Sequence, residues 1–372
     1  MRKTRYRRAR VYGSVRSAHL ERAHALPPAT ILHQRWRYDF DPALTEGLDL
    51  VRGRLPSLAV TILRSRLAAV EVNEPLLRPG LWKTSVAVAA AGLSARLHRT
   101  GTLVVSYAIE NRDNYAPEPD AHLRRRVRAR LDRAMTRFVA RRVDRLAFGT
   151  SAAAELYAAD LGPELQDCRT AVVPALPAPC DCAVPAIRDP DQVVFVGAFA
   201  ARKGLGELVA AWPEVVRQHP AARLTLVGQG PLESAGRELA DRVPGVEVVV
   251  APPREEVHRH QRRAAVLVLL SQRTPTWREQ VGLPVVEGLA HGCTVVTTEE
   301  TGLADWLAGH GHEVLPAGAP VAEVAAGLVR SLRARRPAAS VLADLPHRDG
   351  RLAADEWMFQ GAGEPGAATG GR

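Results

Sequence analysis

Two glutamates, Glu279 and Glu287, are separated by seven residues that include a Gly-Leu-Pro sequence at positions 282–284. Proline suits the first turn of a helix, so the spacing predicts Glu279 in a loop and Glu287 in the helix that follows. The start of such a helix offers free backbone N–H groups and the positive end of the helix dipole, which suit a phosphate group. The pattern therefore predicts a phosphate-binding helix start with a carboxylate on each side.

Apolar runs on both sides of this segment predict the strands that must hold it. Residues 266–270 and 294–298 are typical of buried strands, and Gly292 is suited to end the helix between them. Strand, loop, helix and strand therefore follow one another, with one carboxylate on the loop and one on the helix.

The two-glutamate segment resembles a motif of the retaining GT-B glycosyltransferases, which have two Rossmann-like domains and include glycogen synthases and bacterial mannosyltransferases. The family motif is E-x-x-G-L-P-x-x-E-x-x-A-x-G, and its positions are filled here by Glu279, Gly282, Leu283, Pro284, Glu287, Ala290 and Gly292. An ordinary helix start with surface acids is the alternative interpretation.

The resemblance implies a role for each part of this motif. Glu279 would be the catalytic carboxylate and face the transferred sugar, whereas Glu287 would hold the ribose of the nucleotide. Backbone N–H groups near residues 283–285 would stabilise the leaving phosphate, although Pro284 has none to offer. The donor-binding residues implied by the motif are Gly282, Leu283, Pro284 and Glu287.

A second segment, residues 197–204, resembles the family sequence G-R-L-x-x-x-K-G, whose basic residues grip the donor diphosphate. Gly197, Lys203 and Gly204 match this sequence, whereas Ala198 stands where the family has arginine. The resemblance implies that Lys203 binds phosphate, with neighbouring Arg202 compensating for the missing arginine. A solvated lysine after a strand is the alternative interpretation.

Gly228 begins a Gly-Gln-Gly-Pro sequence that resembles the family's G-x-G-P turn near the nucleotide. As a dinucleotide fingerprint this sequence is incomplete, because Glu233 occupies the last glycine position of G-x-G-x-x-G. We therefore predict a structural turn at Gly228, with a contact to the nucleotide as its second role.

The chain has 372 residues, of which 46% are hydrophobic, so it can build two or three domains with sizeable cores. Its net charge of +10 would suit nucleic acid or an anionic membrane. The basic residues are nearly all arginine, however, because Lys3, Lys83 and Lys203 are the only lysines, and this usage also fits a GC-rich genome. Aromatic residues make up only 5% of the chain, which argues against base-stacking surfaces and a nucleic-acid partner.

The four cysteines, at positions 168, 180, 182 and 293, include no C-x-x-C pair and favour a reduced, cytoplasmic protein. No apolar run of signal-peptide length follows the basic N-terminus. Since no Asp-x-Asp motif follows a predicted strand, we expect neither a metal nor a cofactor, and the nucleotide-sugar would serve as co-substrate.

In the first half of the chain, residues 103–107 predict a buried strand, and residues 81–98 have helical spacing. Glu110 and Asn111 follow the strand, at the edge of an open sheet where ligands bind. We therefore consider both as acceptor-side residues, with a polar surface loop as the alternative. The resemblance also implies a sugar-contacting histidine in this half, which the sequence does not identify.

The alternation of strands and helices predicts an α/β protein with two Rossmann-like domains, each built on a doubly wound parallel sheet. The resemblance implies that the two domains face a cleft. Prolines between residues 174 and 190 indicate a linker between them. We assign residues 1–178 to an acceptor-side domain, 179–346 to a donor domain and 347–372 to a partly disordered tail.

An arginine-rich helix is predicted for residues 123–145, with an apolar stripe that includes Val127 and Leu131. One interpretation is a solvated basic face over a stripe that packs inside the domain. The other is a peripheral contact with anionic membrane lipid or with an anionic acceptor, which would place this cytoplasmic protein at the membrane.

The resemblance implies a hexosyltransferase-type enzyme that moves a sugar, with retention, from a nucleotide-sugar to an acceptor that the sequence does not identify. The alternatives are a sugar-nucleotide epimerase of similar fold and a non-enzymatic basic protein that binds nucleic acid. Stabilisation by sugar nucleotides would indicate either enzyme, and stabilisation by nucleic acid alone would indicate the third. The donor sugar, its base and the oligomeric state are not determined by the sequence.

Overall fold

The structure is a computed structural model that describes residues 3–37, 40–115, 123–181, 187–275 and 277–362. The chain forms two compact units, of which the first comprises Met1–Pro174 and Arg351–Arg372 and the second comprises Ala175–Gly350. The boundary between Pro174 and Ala175 therefore lies inside the proline-rich segment that the sequence predicts as the linker.

A parallel sheet forms the centre of the first unit. Its strands are β1 (Arg8–Val15), β2 (Thr30–Trp36), β3 (Asp49–Arg52), β4 (Ala69–Val72), β5 (Leu103–Ala108), β6 (Arg145–Phe148) and β7 (Arg169–Val172). Their order across the sheet is β3-β2-β1-β4-β5-β6-β7, and every pair is parallel. The strand order reverses between β1 and β4, so the sheet is doubly wound as predicted.

Helices connect these strands and cover the sheet. They are α1 (Ser17–Ala25), α2 (Leu55–Arg64), α3 (Leu81–His98), α4 (Leu123–Ala140) and α5 (Ser151–Leu161), with short 3-10 helices at Pro42–Thr45 and Gly162–Leu165. The prediction of a helix over residues 81–98 is confirmed by α3. One large apolar core joins the sheet to α2, α3, α4 and α5.

A second parallel sheet forms the centre of the second unit. Its strands are β8 (Asp189–Ala198), β9 (Arg223–Gln229), β10 (Val246–Val250), β11 (Ala264–Leu269), β12 (Thr294–Thr298) and β13 (Glu313–Leu315). Their order is β10-β9-β8-β11-β12-β13, and the pairs are parallel. This sheet is also doubly wound, and its strand order reverses between β8 and β11.

Helices again alternate with these strands. They are α6 (Leu205–Gln218), α7 (Glu233–Arg242), α8 (Arg254–Arg263), α9 (Leu283–Ala290), α10 (Ala304–Gly309), α11 (Val321–Ala334) and α12 (Ala338–Ala343), with a 3-10 turn at Ala201–Lys203. The helix predicted after Glu279 is α9, and the strand predicted after Gly292 is β12. The two-glutamate segment therefore has the strand, loop, helix and strand arrangement that the sequence predicts.

The segment 347–372, predicted as a separate tail, instead contributes a helix to the first unit. This helix is α13 (Gly350–Phe359), and its Ala354, Met358 and Phe359 pack on the face of the first sheet that carries Val105. Those side chains recur at helical spacing, so the abundance of Gly, Ala and Asp conceals an apolar stripe. The predicted disorder falls largely on residues 363–372, which lie outside the described residues.

Buried charges also bind α13 to the first sheet. Arg10 and Glu71 are opposite each other on β1 and β4, and each contacts an opposite charge of α13. The Arg10 guanidinium lies 2.8 Å from the Asp355 carboxylate, and the Arg351 guanidinium donates to Glu71. Burial would raise the pKa of Glu71, but Arg351 and Arg10 hold that pKa below its usual value. The C-terminal helix is therefore an integral part of the first unit.

Two strands of the first unit, β2 and β3, are not predicted from the sequence. In β2 only Ile31 and Leu32 form an apolar pair before the polar residues His33, Gln34 and Arg35. His33 is nevertheless fully buried and packs its ring on Trp36, with the ring centroids 4.1 Å apart. An apolar run this short is too weak a signal for a strand.

One interpretation of the arginine-rich helix α4 requires its apolar stripe to be packed inside the domain, but part of this stripe is exposed. Val127 and Leu131, which belong to its predicted apolar stripe, are 47% and 60% exposed. They are four residues apart, so they share one face of the helix, and the arginines around them are also exposed. A fully packed stripe is therefore wrong for the first half of α4.

Within the described ranges, no helix combines the length and the apolar character that crossing a membrane requires. Cys180 is disulfide-bonded, which differs from the expected reduced state, whereas Cys168 and Cys293 are free thiols.

Candidate functional site

The residues predicted to bind the donor lie at the carboxyl ends of β8 and β11, the two central strands of the second sheet. The strand order reverses between these neighbours, and open parallel sheets bind ligands at such a point. The loop after β8 carries Arg202 and Lys203, and the loop after β11 carries Glu279. The fold thus brings together two loops whose key residues are 76 positions apart in the sequence.

The backbones of these two loops are in direct contact. The carbonyl oxygen of Arg202 accepts the N–H of Gln272 at 3.0 Å. Gly204 has a positive φ of +73°, and a Cβ at this position would lie 1.9 Å from the carbonyl oxygen of Leu270. Only glycine permits so close an approach, so Gly204 allows the lysine loop to pack on the end of β11.

Lys203 and Glu279, the two charged residues predicted to act on the donor, form an ion pair. The Lys203 ammonium donates to Glu279 Oε2, and the Ser271 hydroxyl donates to the same oxygen at 2.9 Å. The two charged side chains are only 12% and 10% exposed. In this partly dehydrated setting the ammonium is held in place, and a bound diphosphate would compete with Glu279 for it.

Trp277 is a third component of this site that the sequence does not reveal. The Arg202 guanidinium lies 4.7 Å from the centre of its ring, and the Lys203 ammonium lies 5.0 Å from it. Cations at these distances are attracted to the face of the indole. Trp277 therefore helps to hold both predicted phosphate-binding cations on one side of the β11–α9 loop.

The β11–α9 loop is also anchored from the next strand. Glu300, which follows β12 and is almost fully buried, accepts from Arg278 at 2.9 Å and from Arg273 at 3.1 Å. The Thr301 hydroxyl donates to the Val281 carbonyl oxygen at 2.8 Å. These contacts lie on both sides of Glu279 and fix the loop that carries it.

The start of α9 follows Gly282, whose positive φ of +79° makes the turn from the loop into the helix. The prediction that N–H groups over residues 283–285 are available to phosphate needs a correction. The Val285 N–H donates to the Gly282 carbonyl oxygen at 2.9 Å, and Pro284 has no N–H. In this first turn, the Leu283 N–H donates to no acceptor among the described residues, so it is the group left for a phosphate.

Glu287 lies within α9, one turn beyond its start, as predicted. Its carboxylate accepts from Arg254 at 3.1 Å and from Gln261 at 3.4 Å, two residues of α8. The second glutamate therefore has its own partners, separate from the Lys203–Glu279 pair. Its predicted role in holding the ribose stays a prediction.

Gly197 and Gly228 are adjacent residues at the ends of β8 and β9. A Cβ on Gly228 would lie 1.9 Å from the Gly197 carbonyl oxygen, so the glycine is required by the close approach of the two strands. The turn after β9 is tied back to the loop after β8, because the Phe199 N–H donates to the Gln229 carbonyl oxygen at 2.9 Å. This geometry agrees with the structural role predicted for the Gly228 turn.

The acceptor-side candidates Glu110 and Asn111 are in the first unit, where both are buried directly after β5. The backbone N–H of Glu110 contacts a carboxyl group that the sequence does not single out. Glu74, which follows β4, accepts the N–H groups of Ile109 and Glu110 at 3.1 and 3.0 Å and the Tyr157 hydroxyl at 3.1 Å. Burial raises the pKa of Glu74 to about 8 despite these donors.

We expect this raised pKa to make the stability of the protein depend on pH. Folded Glu74 keeps its proton up to about pH 8, whereas its ordinary pKa is 4.5, so the free energy of unfolding should fall as pH rises between these values. Glu74→Gln removes the titration and should flatten this part of the profile. Urea unfolding of both proteins from pH 5 to pH 9 measures the difference, and parallel profiles would contradict the assignment.

The structure thus assembles the predicted residues into two separate groups. Lys203, Arg202 and Glu279 meet at the end of the second sheet, next to the start of α9. Glu110 and Asn111 lie in the first unit, beside Glu74. Among the described residues, no three His, Cys, Asp or Glu side chains are arranged to hold a metal ion.

Comparison with known proteins gives the context of this site. The family model described as Glycosyl transferases group 1 matches residues 190–334. No curated protein sequence matches the chain.

Solved structures that share the fold cover nearly the whole chain. One is HepE of Anabaena in complex with UDP, with a TM-score of 0.61, 12% identity and 95% coverage of both chains. A second is the UDP-forming α,α-trehalose-phosphate synthase of Burkholderia xenovorans, with a TM-score of 0.58, 12% identity and 95% coverage of both chains. A third is a trehalose-6-phosphate synthase described in work on glycosyl transfer with retention, with a TM-score of 0.56, 14% identity and coverage of 95% of this chain and 96% of that one.

The solved structures resemble both units of the chain, whereas the family model matches only the second. The matched segment contains β8 to β13 almost completely, and with them the Lys203–Glu279 pair and α9. The two doubly wound parallel sheets are those expected of GT-B proteins. The second unit therefore matches the Glycosyl transferases group 1 family over residues 190–334, and the chain as a whole has the GT-B fold.

Proposed function

We propose that this protein is a retaining glycosyltransferase that moves a sugar from a nucleotide-sugar to an acceptor. The observation that carries the proposal is the meeting of Lys203, Glu279 and the start of α9 where the strand order reverses. The site offers cations and a backbone N–H to a diphosphate and a carboxylate to the sugar beside it. Retention is supported by the resemblance of the two-glutamate motif and by the trehalose-6-phosphate synthase among the structural neighbours.

The proposed chemistry follows the charges that develop when the bond between sugar and diphosphate breaks. Negative charge grows on the leaving phosphate, where Lys203, Arg202 and the Leu283 N–H would stabilise it. Positive charge grows on the sugar, which Glu279 would face. Arrival of a diphosphate would draw the Lys203 ammonium away from Glu279 and leave the carboxylate available to the sugar.

We propose a uridine diphosphate sugar, with a hexose as the transferred group, as the donor to test first. Two of the structural neighbours support this choice, since one is a complex with UDP and another is a UDP-forming synthase. Ala198 replaces the arginine of the family motif, so Arg202 and Lys203 would supply the positive charge for the diphosphate. A sugar-nucleotide epimerase would bind the same donor, and only an assay with acceptor separates the two activities.

Replacement of Lys203 tests the donor site. Lys203→Ala removes a charge-assisted hydrogen bond worth about 1.5–3 kcal/mol, so the affinity for UDP should fall about ten- to a hundredfold. Lys3→Ala is the matched control, because it removes an exposed lysine of the first unit that belongs to no proposed site. Calorimetric titration of UDP into the folded variants measures the effect. Equal affinities of Lys203→Ala and the unmodified protein would contradict the proposed donor site.

We also propose that α4 docks on an anionic membrane surface, with the cytoplasmic protein bound peripherally. Its exposed Val127 and Leu131 share a face that is flanked by arginines, which combines apolar contact with attraction to acidic lipid. Sedimentation with vesicles should require phosphatidylglycerol in the phosphatidylcholine and should weaken at about 1 M salt, where the Debye length is about 3 Å.

A variant pair links this binding to α4. Leu131→Ser should lower vesicle binding, whereas Val321→Ser, at another exposed apolar position on α11, should not. Binding that ignores both lipid charge and salt would contradict the membrane proposal and leave the solvated face as the interpretation of α4.

A further inference from the structure

The first unit contains an open pocket of about 730 Å³ that none of the predicted functions uses. It lies where β2 and β3 end and where α2 and α3 begin, so it is at the carboxyl edge of the first sheet. Open parallel sheets bind ligands at this edge, and the volume is within the range of small-molecule sites. The position and size of the pocket are those of a ligand site.

Four cationic side chains line this pocket, and its lining includes no acidic side chain from the part of the chain that the structure describes. They are Arg35, Arg52, Arg54 and Lys83. Within the described ranges, none of the four forms an ion pair with a carboxylate, although elsewhere many arginines of this chain do. Four uncompensated positive charges around one concave surface create a strong local attraction for an anion.

The local backbone adds to this attraction. α2 and α3 both begin at the pocket, with Arg54 and Gly80 as their N-caps, and in neither helix does a side chain of the cap residue accept from the N–H groups of the first turn. The positive ends of two helix dipoles therefore lie at the pocket, where they add to the attraction of the four cations for an anion. Gly53, between Arg52 and Arg54, donates its N–H to the His33 carbonyl oxygen at 3.0 Å, which ties the arginine turn to the end of β2.

One aromatic side chain completes the pocket. Trp82 is 53% exposed, and the Lys83 ammonium lies 5.8 Å from the centre of its ring. An exposed indole beside cations offers a flat apolar surface next to an anion-binding surface. The pocket is thus suited to a ligand with both an anionic group and a compact ring or chain.

We propose that this pocket binds a phosphate ester, and that the acceptor of the transfer reaction carries this phosphate. A phosphate monoester has up to two negative charges and three oxygens, which match several arginine forks better than a single carboxylate does. The assignment as acceptor depends on the proposed function, because the transferase activity is what requires a second substrate. The binding of phosphate ester itself does not depend on it.

Calorimetry with inorganic phosphate and glucose 6-phosphate tests the proposal, with glucose as the uncharged comparison. The titrations use the Lys203→Ala protein, so that the probes do not occupy the donor site. Both phosphate probes should bind and glucose should not. Arg52→Ala and Arg54→Ala should each weaken binding at least about tenfold, because each removes a charge-assisted contact. Arg66→Ala, at an exposed arginine near the opposite edge of the sheet, should change it less than about twofold.

The outcomes separate this proposal from the proposed function. Absence of phosphate binding, or equal binding by the Arg52→Ala/Arg54→Ala double variant, would overturn the proposal of a phosphate site. UDP affinity, measured on the same two variants with Lys203 intact, should stay unchanged, so donor binding is tested by Lys203→Ala alone. A protein that binds phosphate in this pocket but never binds UDP would contradict the donor site and leave the phosphate site standing.

A further titration distinguishes two sources of the phosphate group. Glucose 6-phosphate represents a soluble acceptor, and short-chain phosphatidic acid below its micellar concentration represents a lipid-borne one. Both should depend on Arg52 and Arg54, because the recognised group is the same. The probe that binds more tightly identifies the source, and loss of both dependences would overturn the proposal.

Discussion

Glu279→Gln should lower the maximal rate of sugar transfer about a hundredfold or more, while UDP binds at least as tightly as before. Glu279 is proposed to stabilise positive charge that develops only in the transition state, so its loss affects turnover rather than ground-state binding. The structure adds the second half of this expectation. Glu279 pairs with Lys203, and removal of its charge frees the ammonium for the diphosphate.

Glu287→Gln is the matched variant, because it makes the same change at the other glutamate of the motif. Glu287 is proposed to hold the ribose in the ground state and transition state alike, so its loss should mainly weaken donor affinity, by about tenfold. Rates at saturating donor and calorimetric affinities, measured on both variants, give the comparison. If both variants keep the original rate and affinity, the motif has no role in catalysis and the transferase proposal fails with it.

Arg351→Met should lower the free energy of unfolding of the first unit by about 3–5 kcal/mol, because it removes the guanidinium that donates to the buried Glu71 carboxylate. The neighbouring Arg10 lies 3.5 Å from the Glu71 carboxylate and donates to Asp355 at 2.8 Å, so its charge is shared between two carboxylates. The expected loss is large because both residues are almost completely removed from water.

Arg330→Met is the control for this variant, because the ion pair of Arg330 with Glu313 involves a side chain that is 57% exposed. Removal of an exposed pair should cost less than about 1 kcal/mol. Denaturant unfolding, followed by the fluorescence of Trp357 on α13, gives the free energy for Arg351→Met. If both variants lose the same free energy of unfolding, the buried ion pairs between α13 and the first sheet contribute no more to stability than an exposed ion pair does.

The second unit is the part of the chain that the sequence predicts best. Most of its strands are short apolar runs with glycine or proline close to one end, and the helix after Glu279 begins with Gly-Leu-Pro. Such signals are local, because a buried strand or a helix start depends mainly on neighbouring residues. The doubly wound topology then follows from the regular alternation of strands and helices.

The first unit is predicted less completely because its elements are stabilised by distant residues. β2 has few apolar residues of its own, and it is a strand because β1 and β3 lie on either side of it. The helix α13 comes from a segment rich in Gly, Ala and Asp, and its burial depends on Arg10 and Glu71, about three hundred residues earlier in the chain. A short stretch of sequence does not show which distant residues will contact it.

The sequence by itself determined the residue types of the donor site, the loop and helix that carry its two glutamates, and the order of strands and helices around them. Only the tertiary structure decided that Lys203 pairs with Glu279, that Trp277 faces both cations and that Val285 has already used its N–H. The physical reason is that spacing along the chain fixes the local backbone, whereas the partner of a side chain is set by which loops meet at the end of a sheet. The same holds for the arginines around the pocket of the first unit. Their charges can be read from the sequence, but only the fold brings them together around one pocket.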